Sequence, residues 1–162
     1  MSTRVSICMS ILDHAEWGKE SIASVVAQSF QDWEMIVVDD GSTEDIKGAV
    51  ESFNDNRLCY FRFPENKGVP HGSNFALQKA MGDYVCVLSA GETISPDKLE
   101  IQVKYLDEHQ GVDCVWGLPT MMGSSAIEVE QKFGERPEWM QYAMRAHNRS
   151  NEAWLKCLVN LE

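Results

Sequence analysis

Apolar and polar positions along this chain fall into blocks that predict strands and helices in turn. The strongest strand signal is WEMIVV at residues 33–38, where five of six positions are apolar and no strict alternation is present. A strand that helices cover on both faces has this continuous apolar character. The run ends at DDGS, residues 39–42. We therefore predict a buried parallel strand that leads directly into a polar segment.

The same alternation of signals continues on both sides of this strand. Short apolar runs predict further strands over residues 4–11, 58–63, 84–88 and 112–118. Apolar residues at helical spacing predict helices over residues 15–28, 44–53, 73–81 and 96–108. Strands that alternate with helices favour a mostly parallel sheet between helical layers. We expect a three-layer α/β/α fold whose ligands bind beyond the carboxyl ends of the strands.

The pattern changes after Pro119. Residues 127–130 alternate as an edge strand does, and the later helical spacing includes Trp139 and Trp154, which predicts either core or a surface for homo-oligomer formation. We expect residues 1–120 to form the core and residues 121–162 an extension of the same domain. The final Leu-Glu pair is typical of a cloning remnant, which predicts that the natural protein continues further.

Composition narrows the classes of partner. The chain has 162 residues, 44% hydrophobic, which suffices for one domain with a substantial core. Its net charge of -11 argues against a nucleic-acid or anionic membrane surface. No run approaches the ~18 apolar residues of a spanning helix, and we expect a cytoplasmic protein. The five cysteines include no CxxC pair, which favours reduced, buried thiols over disulfides or a zinc site.

The DDGS segment by itself has two interpretations. It is either a surface turn whose aspartate caps the next helix, or a ligand site that combines two carboxylates, a turn-forming glycine and a serine. A glycine-containing loop at residues 65–72 and the segment SAGE at residues 89–92 follow later strands. Because parallel strands end on one rim of a sheet, we expect these segments to lie near one another, which favours the ligand site.

The order of these motifs resembles the family 2 glycosyltransferases, whose nucleotide-diphosphosugar-binding domain has the GT-A fold. The resemblance covers residues 4–118, and its most specific part is AQSFQDWEMIVVDDGST at residues 27–43. It implies an enzyme that binds a nucleotide sugar, often a UDP-sugar, and transfers the sugar with inversion. The acceptor is not implied by these residues.

The resemblance assigns nucleotide contacts to the ends of the first two strands. Ser10 matches a residue that touches the nucleotide, and Leu12 stands where an aromatic ring stacks on the base, so it offers an apolar floor instead. Asp40 matches the carboxylate that accepts a hydrogen bond from the base, while Asp39 supports the turn or the ribose. His14, just beyond the first strand, either closes this pocket or belongs to a solvated loop.

The resemblance is weaker where the phosphates would lie. Asn74 matches the asparagine of the helix after the glycine loop, but Ser73 replaces the basic residue that commonly precedes it. One phosphate-facing charge is therefore missing. His71 and Lys67 in the loop are candidates to replace that charge, or else ordinary solvated side chains.

The metal motif departs most from the family pattern. A divalent metal, Mg²⁺ or Mn²⁺, is implied by the resemblance and is held by a DxD motif within LDADD, whereas this chain has LSAGE at residues 88–92. Ser89 and Gly91 flank Ala90 in place of the two aspartates, and all three remain nucleotide-binding candidates. A hard cation needs carboxylate oxygens. Glu92, displaced by one position, is a weak candidate ligand or a solvated carboxylate.

An inverting transferase also needs a general base. The later carboxylates Glu128, Glu130 and Glu135 are available, but their spacing selects none of them. The missing DxD motif favours a second hypothesis, a non-catalytic relative that serves as a nucleotide-binding or regulatory module, and the retained contact residues favour the enzyme. A receiver-like signalling domain is disfavoured, because its acidic residues belong after the first and third strands rather than the second.

Overall fold

The structure is a computed structural model that describes residues 3–115. Contacts within the chain divide it into two compact units, Met1–Glu108 and His109–Glu162. The helices and strands of the first unit alternate along the chain: β1 Val5–Ile11, α1 Ala15–Val26, β2 Trp33–Asp39, α2 Ile46–Glu51, β3 Leu58–Arg62, α3 Val69–Lys79, β4 Tyr84–Val87 and α4 Lys98–Glu108.

The four strands form one parallel sheet in the order β3-β2-β1-β4. Ile11 at the end of β1 is level with Asp39 at the end of β2, and Asp39 is level with Arg62 at the end of β3. Leu88 follows β4 and donates its N–H to the Cys8 carbonyl of β1 at 3.0 Å. The carboxyl ends of all four strands therefore share one rim, where the sequence predicts the ligand site.

Helices cover both faces of this sheet. On one face, Ile7, Met9, Met35 and Val37 join apolar residues of α1, α2 and α4 in the larger core. On the other face, Ala76 of α3 joins a smaller core formed by Cys8, Ile36 and Val38. The predicted parallel sheet between helical layers is confirmed. Fully burying one such aliphatic side chain contributes about 1.5–3 kcal/mol to folding.

Strand β2 is buried at every position, as its continuous apolar run predicts. Its one charged interior residue, Glu34, is 6% exposed and accepts hydrogen bonds from the Ser6 hydroxyl at 2.7 Å and the Met81 N–H at 2.8 Å. Ser6 Oγ also accepts the Gly82 N–H at 2.8 Å. This buried polar network fixes the entry to β4 against the amino-terminal ends of β1 and β2.

The structure corrects the predicted starts of two helices. Helix α3 begins at Val69 rather than at residue 73, because Gly68 at φ 88° redirects the chain and Pro70 suits the first helical turn. His71 and Gly72 are therefore helical and do not belong to a loop. Helix α2 begins at Ile46 rather than residue 44, and its cap is Asp45, which accepts the Gly48 N–H at 2.8 Å.

Helix α4 and the segment after it also differ from prediction. The helix begins at Lys98 instead of residue 96, since residues 95–98 form a turn in which the Lys98 N–H bonds the Ser95 carbonyl at 3.0 Å. Residues 112–115 are described and contain no strand, contrary to the predicted run over 112–118. Residues 116–118, and everything predicted after Pro119, lie outside the described residues.

The described cysteines are all free, as predicted, but they are less buried than expected. Cys8 is buried, and its burial raises the pKa of the thiol to about 11, so this thiol is protonated and unreactive at neutral pH. Cys59 and Cys86 are partly buried and Cys114 is exposed, which corrects the expectation that the thiols are buried. Cys157 lies outside the described residues. Within residues 3–115, no helix is both long and apolar enough to cross a membrane.

Gln28 joins α1 to the start of α4 through its buried amide. Its side chain is 1% exposed, and Nε2 donates to the carbonyls of Ser24 at 3.1 Å and Ser95 at 2.7 Å. Oε1 accepts the Leu99 N–H at 3.1 Å. Since the first turn of a helix has N–H groups without internal partners, Gln28, which lies two residues after the end of α1, acts as a cap for α4 supplied from outside that helix.

We expect Gln28→Ala to lower the free energy of unfolding by roughly 1–3 kcal/mol, because it leaves the N–H of buried Leu99 without its acceptor and removes one of the two donors to the Ser95 carbonyl. Urea unfolding followed by circular dichroism measures the loss. Gln78→Ala removes the same side chain from an exposed position of α3 and should change the free energy of unfolding by less than about 0.5 kcal/mol. Equal losses in the two variants would show that Gln28 has no capping role.

Candidate functional site

The exits of β1 and β2 are joined at the rim by backbone and side-chain hydrogen bonds. The Asp40 N–H donates to the Ile11 carbonyl at 2.8 Å, and the Asp13 N–H donates to Ser42 Oγ at 2.8 Å. The loops that follow β1 and β2 are therefore in direct contact. The Ser42 hydroxyl is the acceptor in this second hydrogen bond, and it does not cap α2.

Asp13 is a structural residue that the sequence analysis did not identify. It adopts a left-handed conformation, φ 57°, and its Oδ1 accepts from Thr43 N at 2.7 Å, Thr43 Oγ1 at 3.0 Å and Glu44 N at 3.2 Å. The backbone hydrogen bonds from Thr43 and Glu44 hold the pKa of this carboxyl below its usual range. An aspartate directly after a strand, with a Ser-Thr pair after the next strand, is the only sequence signal for this contact.

Asp39 is fully buried and connects β2 to β3. Its Oδ1 accepts the Ser42 N–H at 2.8 Å, and its Oδ2 accepts from Tyr60 Oη and Arg62 Nη1 at 2.6 Å each. Burial alone would raise the pKa of this carboxyl, but the hydrogen bonds from Ser42 and Tyr60 and the charge of Arg62 outweigh it and lower the pKa. Asp39 therefore supports the turn, one of the two roles considered for it.

Asp40 holds the loop that precedes α3. The residue is 2% exposed, and its two oxygens accept the N–H groups of Lys67 and Gly68 at 2.8 Å each. Gly41, at φ 82°, lets this loop approach: a Cβ there would lie 2.6 Å from the carbonyl carbon of Glu65. A contact between Asp40 and a base must therefore use the remaining lone pairs of these oxygens or replace one of these N–H groups.

The amino-terminal turn of α3 covers the end of β1. A Cβ on Gly72 would lie 2.2 Å from Ser10 Oγ, so only glycine permits this approach. Ser10 Oγ is buried and has no hydrogen-bond partner among the described residues. Leu12 is 40% exposed at the same end of β1, as an apolar floor requires, and Asn74 is exposed on α3.

The aromatic residue Phe63 contacts both cationic candidates of this region. Lys67 Nζ lies 5.3 Å from the centroid of the Phe63 ring, and the His71 ring lies edge-on to the same ring at 6.2 Å. Both side chains are exposed. The structure thus places a lysine and a histidine beside the loop that Asp40 holds, and their phosphate role remains a prediction.

The segment after β4 is closed by its own hydrogen bonds. Glu92 Oε2 accepts the Ser89 N–H at 3.2 Å, and the Gly91 N–H donates to Ser21 Oγ of α1 at 2.9 Å. A shallow depression lies between this segment and α1; it is lined by Trp17, Glu20, Ser89, Ala90, Gly91 and Glu92. His14 is exposed and stacks on Trp17 with 4.2 Å between ring centroids.

These residues do not fit a divalent metal. Ser89, Ala90 and Gly91 carry no carboxylate, and the single carboxylate of Glu92 is already turned back onto the backbone of its own loop. Across residues 3–115, no group of three or more histidine, cysteine, aspartate or glutamate side chains is arranged to hold a metal ion. Magnesium needs several oxygen ligands in near-octahedral geometry, which this segment does not offer.

Sequence comparisons identify relatives with a shared domain. A Rickettsia felis protein named as an uncharacterized glycosyltransferase is 32% identical over 108 residues, which are 66% of this chain and 18% of the relative. The bifunctional glycosyltransferase pgtA of Dictyostelium discoideum is 32% identical over 108 residues, 63% of this chain and 14% of its own length. This chain therefore spans less than a fifth of either relative.

Solved structures with the same fold include two proteins in complex with nucleotide sugars. S. aureus TarS 1-349 in complex with UDP-GlcNAc has a TM-score of 0.63 and 27% identity, over 66% of this chain and 32% of that one. The mannosyltransferase PcManGT from Pyrobaculum calidifontis, in complex with GDP-Man and Mn²⁺, has a TM-score of 0.59 and 26% identity, over 65% of this chain and 33% of that one.

The parallel sheet, its helical layers and these neighbours establish the α/β fold of GT-A type that the sequence led us to expect. The family model for glycosyl transferase family 2 matches residues 6–155 of the 162. The match includes the β2 strand and the Asp-Asp turn at its end. The chain belongs to glycosyl transferase family 2.

Proposed function

We propose that this domain binds a nucleotide-diphosphosugar, a UDP-sugar, and transfers the sugar with inversion to an acceptor. The observation that carries the proposal is the Asp40 carboxylate, held at the rim of the sheet between the exit of β2 and the loop before α3. The UDP-GlcNAc bound to TarS and the GDP-Man bound to PcManGT support a nucleotide sugar as the ligand class.

Different residues at the rim contact different parts of the nucleotide. Asp40 accepts a hydrogen bond from a ring N–H of the base, which selects a base that presents such a donor, as uracil does. Leu12 supplies an exposed apolar surface beneath the base. Ser10 has a buried hydroxyl without a described partner, which is available to a ligand oxygen or N–H once the site is occupied. Asp39 acts on the turn and not on the ligand.

The diphosphate needs positive charge in a protein whose net charge is -11. Lys67 and His71 are the candidates, because both lie beside the Asp40 loop and contact Phe63. Asn74, exposed on α3, is a neutral donor for the same group, and Ser89, Ala90 and Gly91, which follow β4, are further candidates for contacts with the nucleotide. Ionic contacts of this kind are screened by salt, so affinity should fall as ionic strength rises.

One observation favours a second function, a non-catalytic nucleotide-binding or regulatory module. The segment at the end of β4 does not fit the divalent metal with which PcManGT was solved. A catalytic base is also unassigned, because Glu128, Glu130 and Glu135 lie outside the described residues. The cytoplasmic location, the homo-oligomer and the domain boundary at residue 120 stay predictions.

Calorimetry with UDP, UDP-glucose and UDP-GlcNAc, each with and without Mn²⁺, tests the proposal and separates the two functions. We expect binding whose dissociation constant changes less than about threefold when Mn²⁺ is replaced by EDTA, because the β4 segment offers no set of metal ligands. Tenfold tighter binding with Mn²⁺ would support a metal-dependent enzyme, whereas weak binding that is independent of Mn²⁺ would support the non-catalytic module. If the domain binds none of the three ligands, both proposed functions are contradicted.

Asp40→Asn should weaken UDP binding about 10- to 100-fold, because an amide oxygen is a poorer acceptor than a carboxylate and one hydrogen bond to a charged group is worth roughly 1.5–3 kcal/mol. Isothermal calorimetry measures the change. Asp45→Asn makes the same substitution at the exposed cap of α2 and should leave the affinity unchanged. Equal affinity of wild type and Asp40→Asn would refute the base contact.

Asp39→Asn should lower the free energy of unfolding at neutral pH by about 1–3 kcal/mol, because a buried carboxylate with an arginine partner is lost. The folded-state pKa of Asp39 is lowered, so its stabilisation is present above the unfolded pKa of about 3.9 and is lost as pH falls through the folded value. The gap between wild type and variant should therefore narrow below about pH 4.

Urea unfolding at pH 7, 5 and 3.5 measures this gap. Asp32→Asn is the matched control, since Asp32 is an exposed aspartate just before β2 and its loss should change the free energy of unfolding by less than about 0.5 kcal/mol at each pH. A gap between wild type and Asp39→Asn that widens on acidification would contradict the role of the ionised carboxylate.

A further inference from the structure

The Gly68 N–H lies between two acceptors. Asp40 Oδ2 and Asn66 Oδ1 are each 2.8 Å from the Gly68 nitrogen, so this N–H is shared. The Lys67 N–H donates to Asp40 Oδ1, also at 2.8 Å. The two oxygens of Asp40 therefore differ: the donor to Oδ2 has a second acceptor already in place.

The surroundings of Gly68 restrict how this loop can respond to a ligand. The Gly68 carbonyl accepts the N–H groups of His71 at 2.9 Å and Gly72 at 3.2 Å, which anchors it to the first turn of α3. Gly72 in turn has no room to move toward Ser10. A change of hydrogen-bond partner at Gly68 is therefore easier than a displacement of the whole loop.

Because Asp40 is only 2% exposed, a ligand N–H that reaches it crowds the N–H groups that its oxygens already accept, although each oxygen keeps a second lone pair. If it takes Oδ2, Gly68 keeps Asn66 as its acceptor, and no N–H is left unpaired beneath the bound ligand. If it took Oδ1, Lys67 would lose the partner it has in the structure. Leaving a covered N–H without an acceptor is costly, so the exchange at Oδ2 is favoured.

We propose that Asn66 is a positioning residue for ligand binding, because it receives the Gly68 N–H when Asp40 Oδ2 turns to a nucleobase N–H. The inference rests on the proposed base contact of Asp40 and specifies how that contact is made. Asn66 touches no ligand in this scheme. Asn66 lowers the free-energy cost of freeing Asp40 Oδ2 for the ligand. It also keeps the start of α3 in place while the Gly68 N–H changes its acceptor.

Calorimetry and amide NMR with UDP test this role. Asn66→Ala should bind UDP about tenfold more weakly than wild type, the factor that one neutral hydrogen bond is worth. Its melting temperature should match that of wild type, because Gly68 still donates to Asp40 in the free protein. Asn66→Ser, whose hydroxyl accepts more weakly from the residue two positions on, should recover part of the affinity.

Spectra of the ¹⁵N-labelled wild-type chain should show a UDP-dependent shift of the Gly68 amide signal. The Gly48 amide is the internal control, since it also donates to an aspartate at 2.8 Å, on α2, and should not shift. UDP methylated at the ring N–H of uracil should leave the Gly68 signal in its free position. Asn56→Ala, an exposed asparagine outside the site, should bind UDP like wild type.

The outcomes separate this inference from the proposed function. If wild type binds UDP while Asn66→Ala binds equally well and Gly68 does not shift, the positioning role is wrong and the nucleotide site stands. If Asn66→Ala loses both affinity and melting temperature, Asn66 is a structural residue and the inference also fails. If wild type shows no UDP binding, both the site and the inference fail.

Discussion

The structure depends on carboxylates at the rim of the sheet that accept hydrogen bonds from other segments. Asp13 accepts from the loop after β2, Asp39 from β3 and from its own turn, and Asp40 from the loop before α3. Asp13 joins the exits of β1 and β2, whereas Asp39 and Asp40 join the exit of β2 to β3 and to the loop that follows β3. In a chain with a net charge of -11, these acidic side chains are directed toward backbone N–H groups and one arginine, where their charge stabilises the fold.

The two adjacent aspartates differ in the kind of group that their carboxylate oxygens bind. Asp39 is wholly buried, and one of its oxygens bonds both Tyr60 and Arg62. Asp40 accepts only backbone N–H groups in the described contacts, and one of these is shared with Asn66. A carboxylate that is paired with a cation stabilises the fold. A carboxylate that accepts N–H groups with alternative acceptors can exchange those N–H groups for a ligand.

Sequence pattern predicted the parts of this molecule that depend on local periodicity. The unbroken apolar run of β2 predicts a strand buried on both faces, and that strand is buried throughout. The start of α3 was misplaced, because Gly68 and Pro70 resemble loop residues until a positive φ and a helical first turn are known. The partners of Asp13 and Asp40 lie about thirty positions away along the chain, and periodicity carries no information on such contacts.

The end of β4 differs from a metal site in its backbone conformation as well as in its lack of carboxylates. Gly91 adopts φ 91°, a conformation that side-chain-bearing residues rarely adopt, and its N–H is bonded to Ser21 of α1. An aspartate at position 91 would therefore be strained and would have to break this local arrangement to reach a cation. Glu92 closes the segment by accepting the Ser89 N–H, which occupies the one carboxylate within the segment itself. The backbone conformation itself, and not only the missing acids, separates this segment from a metal site, so any charge that neutralises a diphosphate must come from elsewhere on the rim.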